Sequence, residues 1–446
     1  MPTPTRGAID ATRHAGGVGE RLRELRVSAG LTQSELARGR FSKEYISQIE
    51  RGKTRPTEET VVWLASRLGV DPTYLASGVS DDDRARAETI VARAEALAVR
   101  REYDAAIDAY LQAADAVSAI GSVGLEVRAL SGEAWARVQS GDVRLGIRLL
   151  ERARGLVEGP AFSDLDRAEV VFRLGAARYL ISSLATSIAL FDEALALVDR
   201  SPLPSDPLRA SILTWRSRCY RRQRDYEAAR EDVERALELA ESMADPQALG
   251  EAYFQASLIA ERDGHWVLAR TYAKRAKAQY EVLSDRMNIG RLLNNLGGLE
   301  FLLGNPAKAI ASLRQAFALS LEHGNDDDVA TVISSLAQVH LRSGDALAAE
   351  EHARQALSRL GDREDRTDEI GNARLVLGRA LLEQGRLEEA EAVLAQAEDA
   401  LSQLSSGSHR AAAWVAQGDL ARRRGDDRRA AVLYRRAAEA LQDFRF

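Results

Sequence analysis

The sequence of 446 residues contains one cysteine, Cys219, which excludes an intramolecular disulfide framework and any cysteine-built zinc or iron–sulfur site. Aromatic residues make up 6% of it and prolines number ten, while Ala, Leu, Arg and Glu dominate. That balance points to helices throughout and leaves nothing that favours a sheet. No apolar run approaches the roughly 20 residues a membrane span requires. The opening MPTPTRGAIDATRHAGG has no hydrophobic stretch of the kind a secretory signal needs, so the expected location is cytoplasmic. Lysine is nearly missing as well, confined to positions 43, 53, 274, 277 and 308.

What is present is unevenly spread. Residues 1–76 carry 12 Lys and Arg against 9 Asp and Glu, a net charge of +3; the rest carries 49 against 58, a net of −9. A mildly basic head on an acidic body fits nucleic-acid contact confined to the head.

Behind the head the sequence repeats itself. Segments such as GDVRLGIRLLERA (141–153), GNPAKAIASLRQA (304–316) and GRLEEAEAVLAQA (385–397) share one pattern, which REYDAAIDAYLQA (101–113) and SSLATSIALFDEA (182–194) match more weakly. The closing alanines fall at 113, 153, 194, 236, 276, 316, 356, 397 and 437, always 40 to 42 residues apart. Each unit reads as a pair of helices. The first ends near a Gly able to take the left-handed conformation, and the second carries small or apolar residues such as Ala309, Ile310, Leu313 and Ala316 three or four apart. One such pair cannot bury its apolar face alone, so the units must stack.

This pattern resembles the tetratricopeptide repeat, best in LLNNLGGLEFLLGNPAKAIASLRQAFAL (292–319). The usual period is about 34 residues, so each helix here is about a turn longer, as in kinesin light chains and bacterial peptide-sensing regulators. The resemblance implies an all-α fold: an α-solenoid of about nine hairpins behind an N-terminal helical head.

The head, GVGERLRELRVSAGLTQSELARGRFSKEYISQIERGKTRPTEETVVWLASRLGVDPTYL (17–75), reads as a series of capped helices. Leu22 and Leu25 lie on the first. Thr32 caps a second with Leu36 and Ala37 inward, and RGRF is the turn. Ser42 caps a third, from Lys43 to Arg51, with Ile46 and Ile49 inward, and Gly52 stops it. Thr57 caps a fourth, with Glu58 and Glu59 in its first turn and Val62, Ala65 and Leu68 as its buried stripe. The outer face of the third helix then presents Lys43, Glu44, Ser47 and Gln48, and such a helix fits the DNA major groove. Lys43 suits guanine O6/N7, Gln48 suits adenine and Glu44 suits cytosine N4. The stretch from LTQSELA through ISQIERGKTRP resembles the helix-turn-helix domain of the lambdoid repressor and Cro type, although four residues stand between Ala37 and Ser42 where that family commonly has five. The resemblance implies phosphate contact by Gln33, backbone contacts by Arg51, Lys53, Thr54 and Arg55, and a phosphate or base contact by Tyr45. Ser42, at the start of the reading helix, is grouped with them. A module that has exchanged DNA for a protein partner is the other reading.

Stacked hairpins make a groove lined by the first helix of each pair. Counting from Gly304, groove positions include Arg291, Asn294 and Phe301 with Asn295 at the edge. Equivalent positions are Trp135 and Tyr179, then Thr214, Arg218 and Arg221, then Ser334 and Gln338, then Asn372 and Arg379. An Asn amide can clamp an extended peptide backbone whatever its sequence, and Arg218 and Arg221 could take a carboxylate. Asn294 and Asn295 could equally brace neighbouring repeats. Trp215 and Trp266 read as core fillers, and Cys219 as a small packing residue.

The sequence contains no P-loop, H-E-x-x-H, G-x-S-x-G or Rossmann glycine fingerprint, so no enzyme, cofactor or metal is expected. His340 and His352 could meet across one hairpin, without a carboxylate signature beside them. The expected organisation is an arm at 1–17, a DNA-binding domain at 18–76, a linker at 77–84 in which Asp81 to Asp83 cap the next helix, and repeats over 85–446. The layout resembles the RRNPP group of peptide-sensing regulators. It implies a double-stranded DNA operator, a peptide or protein ligand in the groove, homodimerisation and no membrane. The alternative is a DNA-tethered scaffold that recruits a protein partner. Leu433, Tyr434, Leu441, Phe444 and Phe446, clustered at the end, either seal the last repeat or form a two-fold contact.

Overall fold

The computed structural model describes residues 17–324, 326–361, 366–402 and 407–442. The expected arm lies outside the described residues except for Gly17, and Phe444 and Phe446 lie outside them too. No strand occurs among the described residues. The chain forms two compact units, Met1–Ser205 and Asp206–Phe446.

The head opens the first unit with α1 (Val18–Ser28), α2 (Gln33–Ala37), α3 (Lys43–Glu50), α4 (Glu58–Leu68) and α5 (Pro72–Ser77). The Thr32 hydroxyl accepts from the Glu35 N–H while the Glu35 carboxylate accepts from Thr32 N–H at 2.7 Å, a reciprocal capping box. Ser42 and Thr57 cap α3 and α4 as the sequence suggests. Leu22, Leu36, Ile46, Ile49, Leu64 and Leu75 are fully buried in one core. The α4 stripe is shifted from the expected one: Val61, Leu64 and Ala65 face inward, while Val62 is 49% exposed. With 3.6 residues per turn, Val62 sits about 100° round the helix from Val61, and the pair Val61/Leu64 sets the phase.

The fifth helix has no counterpart among the helices expected from the sequence, and its Asp71 cap is what starts it. Arg21, buried on α1, donates from Nε to the Leu75 carbonyl at 3.2 Å and from Nη2 to the Ala76 carbonyl at 2.6 Å. Those bonds satisfy carbonyls at the end of α5 that the helix leaves open. The stretch expected as a linker, 77–84, is mostly helix, because α5 runs to Ser77 and α6 (Asp81–Val99) begins after three residues. Ser80 caps α6, accepting from the Asp83 N–H, and Asp81 to Asp83 occupy the first turn instead.

Among the described residues nine hairpins come after the head. The first unit holds α6 with α7 (Tyr103–Ile120), α8 (Val123–Ser140) with α9 (Val143–Val157), and α10 (Asp164–Leu180) with α11 (Leu184–Arg200). The second unit holds six more. They are α12 (Asp206–Gln223) with α13 (Tyr226–Met243), α14 (Pro246–Arg262) with α15 (Trp266–Val282), and α16 (Arg286–Leu302) with α17 (Pro306–His323). After them come α18 (Asp326–Arg342) with α19 (Ala346–Leu360), α20 (Thr367–Glu383) with α21 (Leu387–Ser402), and α22 (Gly407–Arg423) with α23 (Asp427–Gln442).

All nine closing alanines are buried, none more than 2% exposed. A methyl group at that point lets the second helix lie close to its neighbours, and a larger side chain would overpack the contact. The turn inside each hairpin is equally regular. Two residues before the second helix the backbone is left-handed in every unit, at Arg101, Gly141, Ser182, Arg224, Gly264, Gly304, Gly344, Gly385 and Gly425. Glycine is free of Cβ strain in that conformation and L side chains are not, so the three units with Arg101, Ser182 and Arg224 at this position carry that strain.

Cys219 is fully buried, and Trp215 is half-buried under the Arg218 guanidinium, 4.4 Å from its ring centroid. Trp266 is not a core filler. It opens α15 at 40% exposure, because the inward stripe of that helix is Ala269, Ala273, Ala276 and Tyr280.

Candidate nucleic-acid interface and repeat cleft

Helix α3 presents Lys43, Glu44 and Gln48 to solvent, with Ser47 half-buried beside them. Two local bonds shape this face. The Thr54 hydroxyl donates to Gln48 Oε1 at 3.1 Å, which turns the Gln48 amide nitrogen outward as a donor. Arg51 folds back along the helix, donating to the Ser47 carbonyl at 3.0 Å and to the Ser47 hydroxyl at 2.7 Å. Lys53 and Arg55 stand exposed on the loop after the helix. Tyr45 packs against Phe41, ring centroids 5.1 Å apart, and Phe41 meets Trp63 edge-on at the same distance. Its ring is therefore fixed while its edge stays partly open.

Beneath this face lies a contact that no local pattern in the sequence marks. Glu50, whose side chain is 3% exposed, accepts from Arg26 Nε at 2.6 Å and Arg26 Nη2 at 3.1 Å, and from Gln33 Nε2 at 2.7 Å. Arg26 also donates to the Leu31 carbonyl at 2.7 Å. The Glu50 hydrogen bonds hold the Arg26 guanidinium above its ordinary pKa. One carboxylate thus fixes α1, the start of α2 and the end of α3 together. It also orients the Gln33 side chain at the start of α2.

In the second unit, α14, α16 and α18 border a cleft of about 450 Å³ lined by Phe254, Glu261, Arg291, Asn294, Asn295 and Asp328 among others. Asn295 spans two helices: its amide donates to Glu261 at 2.9 Å and its oxygen accepts from the Ser257 hydroxyl at 3.1 Å. Burial pushes the Glu261 carboxyl above the usual carboxylate range, against the opposing hydrogen bond from Asn295 and the charge of Arg221. Arg291 pairs with Asp328 at 3.2 Å across to α18. Asn294 differs from its neighbour, because its Oδ1 is buried and meets no hydrogen-bond partner.

The other expected groove residues are dispersed. Thr214 is packed away at 2% exposure. Arg218 stacks on Trp215 and approaches Glu251 at 3.9 Å, and Arg221 lies half-buried near Glu261. On α18 the cleft is lined by Thr331 and Ser335, one residue out of phase with the expected Ser334, while Gln338 is exposed elsewhere. Asn372 and Arg379 are half-buried on α20, and burial holds the Arg379 guanidinium below its ordinary pKa. Sequence reasoning missed Glu261 and Asp328, which are ordinary acidic residues until the stacking places them.

His340 and His352 do meet, ring centroids 5.3 Å apart, with Asp345 at 3.3 Å from His340. Among the described residues no group of three His, Cys, Asp or Glu is placed to hold a metal, and no helix is long and apolar enough to cross a membrane.

A helix-turn-helix family model matches residues 22–75, and tetratricopeptide repeat models match 166–242, 288–362 and 335–405. The chain belongs to the helix-turn-helix transcriptional regulators, with a tetratricopeptide-repeat body behind the DNA-binding head. An uncharacterised HTH-type transcriptional regulator, y4dJ of Sinorhizobium fredii, is 46% identical over 59 residues, 13% of this chain and 77% of that protein. The HTH-type transcriptional regulator DdrOP3 of Deinococcus deserti is 44% identical over 61 residues, of which this chain spans 47% of the relative's length. A Rap protein complexed with Competence and Sporulation Factor is similar in fold, with a TM-score of 0.58 and 15% identity over 80% of this chain and 98% of that one. The apo form of RapI is similar too, with a TM-score of 0.56 and 12% identity over 80% and 97%.

Proposed function

We propose that this regulator reads its operator with α3, is controlled by a short peptide bound in the α14–α16–α18 cleft, and works as a homodimer held by its repeats. The observation that carries the peptide reading is Asn294. A buried amide oxygen without a partner is expensive to keep, and an extended peptide's backbone N–H would satisfy it without regard to sequence. At the rim Arg291 and Asp328 are paired with each other at 3.2 Å, a pair that a peptide's charged ends would have to exchange with. The Rap protein with the same repeat fold was solved with a factor bound. Dimerisation rests on a general argument: one helix-turn-helix unit contacts too few base pairs for genomic selectivity. At the end of the described chain Leu433 is buried and the Tyr434 hydroxyl donates to Asp419 at 2.7 Å, whereas Leu441 is 52% exposed and available to a second copy.

The test has two parts. An operator is first selected from random duplexes with the full chain. Random peptide pools are then passed over the wild type and over Asn294→Ala and Asn295→Ala. The expected result is that wild type retains peptides that alter operator affinity, Asn294→Ala loses them at unchanged melting temperature, and Asn295→Ala melts lower. Retention by Asn294→Ala at wild-type strength would overturn the peptide reading. A monomer by light scattering that binds one half-site at full affinity would overturn the dimer.

A further inference from the structure

The first unit contains a larger cleft, about 800 Å³, bordered by the first helices α6, α8 and α10. That volume is within the range of small-ligand sites. Its floor is built closely. Tyr110 reaches over from α7, 2% exposed, with its hydroxyl lying against Gly132; a Cβ at that glycine would stand 2.1 Å from the oxygen. Ser131, 7% exposed, lines the same cleft, and its hydroxyl meets no hydrogen-bond partner. Trp135 and Phe162 supply aromatic surface on either side.

The charges around this floor are unbalanced. Four carboxylates and two guanidinium groups line the cleft. Arg128 is taken by Glu95, at 2.8 and 3.0 Å, and Arg173 by Glu169 and by the Ser131 carbonyl at 3.1 Å. Asp166 caps α10, accepting from the Ser163 N–H at 2.8 Å and hydroxyl at 2.7 Å. Glu88 remains: it is exposed on α6 and forms no ion pair within 4 Å among the described residues, although its charge also acts on Arg128. An anion or a neutral lipid tail would face this excess of negative charge with nothing to balance it.

We propose that this cleft is a second ligand site, distinct from the peptide cleft, for a small organic cation with an aromatic body. The ring lies against Trp135, where a cation also gains from the indole face. The ammonium pairs with Glu88, and the Ser131 hydroxyl with any polar group on the buried side. Burial pushes the Tyr110 phenol up to about 12, so its hydroxyl stays neutral at the floor. The site lies on α6, the helix that begins three residues after the head, so occupancy bears on the element that carries the DNA reader.

Tryptamine and indole-3-acetate are the matched probes, titrated into the full chain by calorimetry at millimolar concentrations. Tryptamine is expected to bind and indole-3-acetate not to. Glu88→Gln should weaken tryptamine by about two- to fivefold at unchanged melting temperature, the scale of an exposed ion pair. Gly132→Ala, which displaces Tyr110, should weaken it as well, while Asn294→Ala should leave it unchanged. Equal binding of the two probes, no binding of tryptamine, or full binding by Glu88→Gln overturns the proposal.

Discussion

Asn295 donates its amide to Glu261 across the gap between α16 and α14, at 2.9 Å, and so braces two consecutive repeats with a half-buried carboxylate. Its sequence neighbour Asn294 has no such bond for its oxygen. Two adjacent asparagines, indistinguishable in the sequence, have therefore separate work.

The brace carries a pH dependence. Burial raises the Glu261 carboxyl above its ordinary value, so its ionisation is harder in the folded protein than in the unfolded chain. Its contribution to stability is lost as pH rises from the unfolded carboxylate pKa, about 4.3, through the higher folded value, and is level above that. Glu261→Gln removes this slope. Urea melts at a series of pH values should show the variant gaining stability relative to wild type as pH rises. A constant difference would mean that burial does not set the carboxyl's titration.

On the head, Gln48→Ala should cost about 1–3 kcal/mol on the selected operator and relax preference at one base position. Arg55→Ala should weaken selected and random duplexes alike and lower the salt slope by about one. Thr54→Val tests the aim of the amide, since it frees Gln48 Oε1 without removing the side chain; operator affinity should fall less than for Gln48→Ala. Competition binding at two salt concentrations separates these outcomes. If both Gln48→Ala and Arg55→Ala bind as wild type, α3 is not the reader.

Glu50→Ala leaves Arg26 nearly buried without its carboxylate and should destabilise the head by about 3 kcal/mol. The double variant Arg26→Met with Glu50→Ala should recover part of that loss, because the uncompensated charge is gone. Denaturant unfolding of the full chain, monitored by Trp63 emission with the other tryptophans replaced by Phe, reports on the head. No recovery in the double variant would show that the pair acts through packing alone.

Ser182 holds a left-handed backbone, φ 61°, at a turn position that is glycine in six of the nine hairpins. Ser182→Gly relieves a Cβ strain of about 1 kcal/mol and should raise the melting temperature, whereas Gly304→Ala should lower stability by a similar amount. A lower melting temperature for Ser182→Gly would mean its side chain makes a contact worth more than the strain.

The period of the closing alanines gave the nine hairpins directly, because a buried methyl at a fixed helix contact leaves a mark at a fixed spacing. Caps were equally legible: Thr32, Ser42 and Thr57 each act on an N–H within three residues. What needed the structure depends on distant neighbours. Glu50 binds Arg26 at 24 residues' separation and Asn295 binds Glu261 at 34, and no local pattern marks either pair. The exposed Trp266 shows the same limit, since aromatic size alone does not say which side of α15 is covered. The division after Ser205 had a signal that periodicity overrode: Pro202, Pro204 and Pro207 place three of ten prolines at that point.

Between α5 and α6 stand only Gly78, Val79 and Ser80. Val79 is buried, and the Asp71 carboxyl, held below the usual range by the N–H groups of Tyr74, Thr73 and Asp81, touches both sides of the joint. Three residues span at most about 10 Å, which is too short a leash for the reading helix to search independently. The proposed dimer, mounted on two such joints, would measure DNA as a ruler does. One base pair added between half-sites turns the second by about 35° about the duplex axis, and a stiff ruler cannot turn with it.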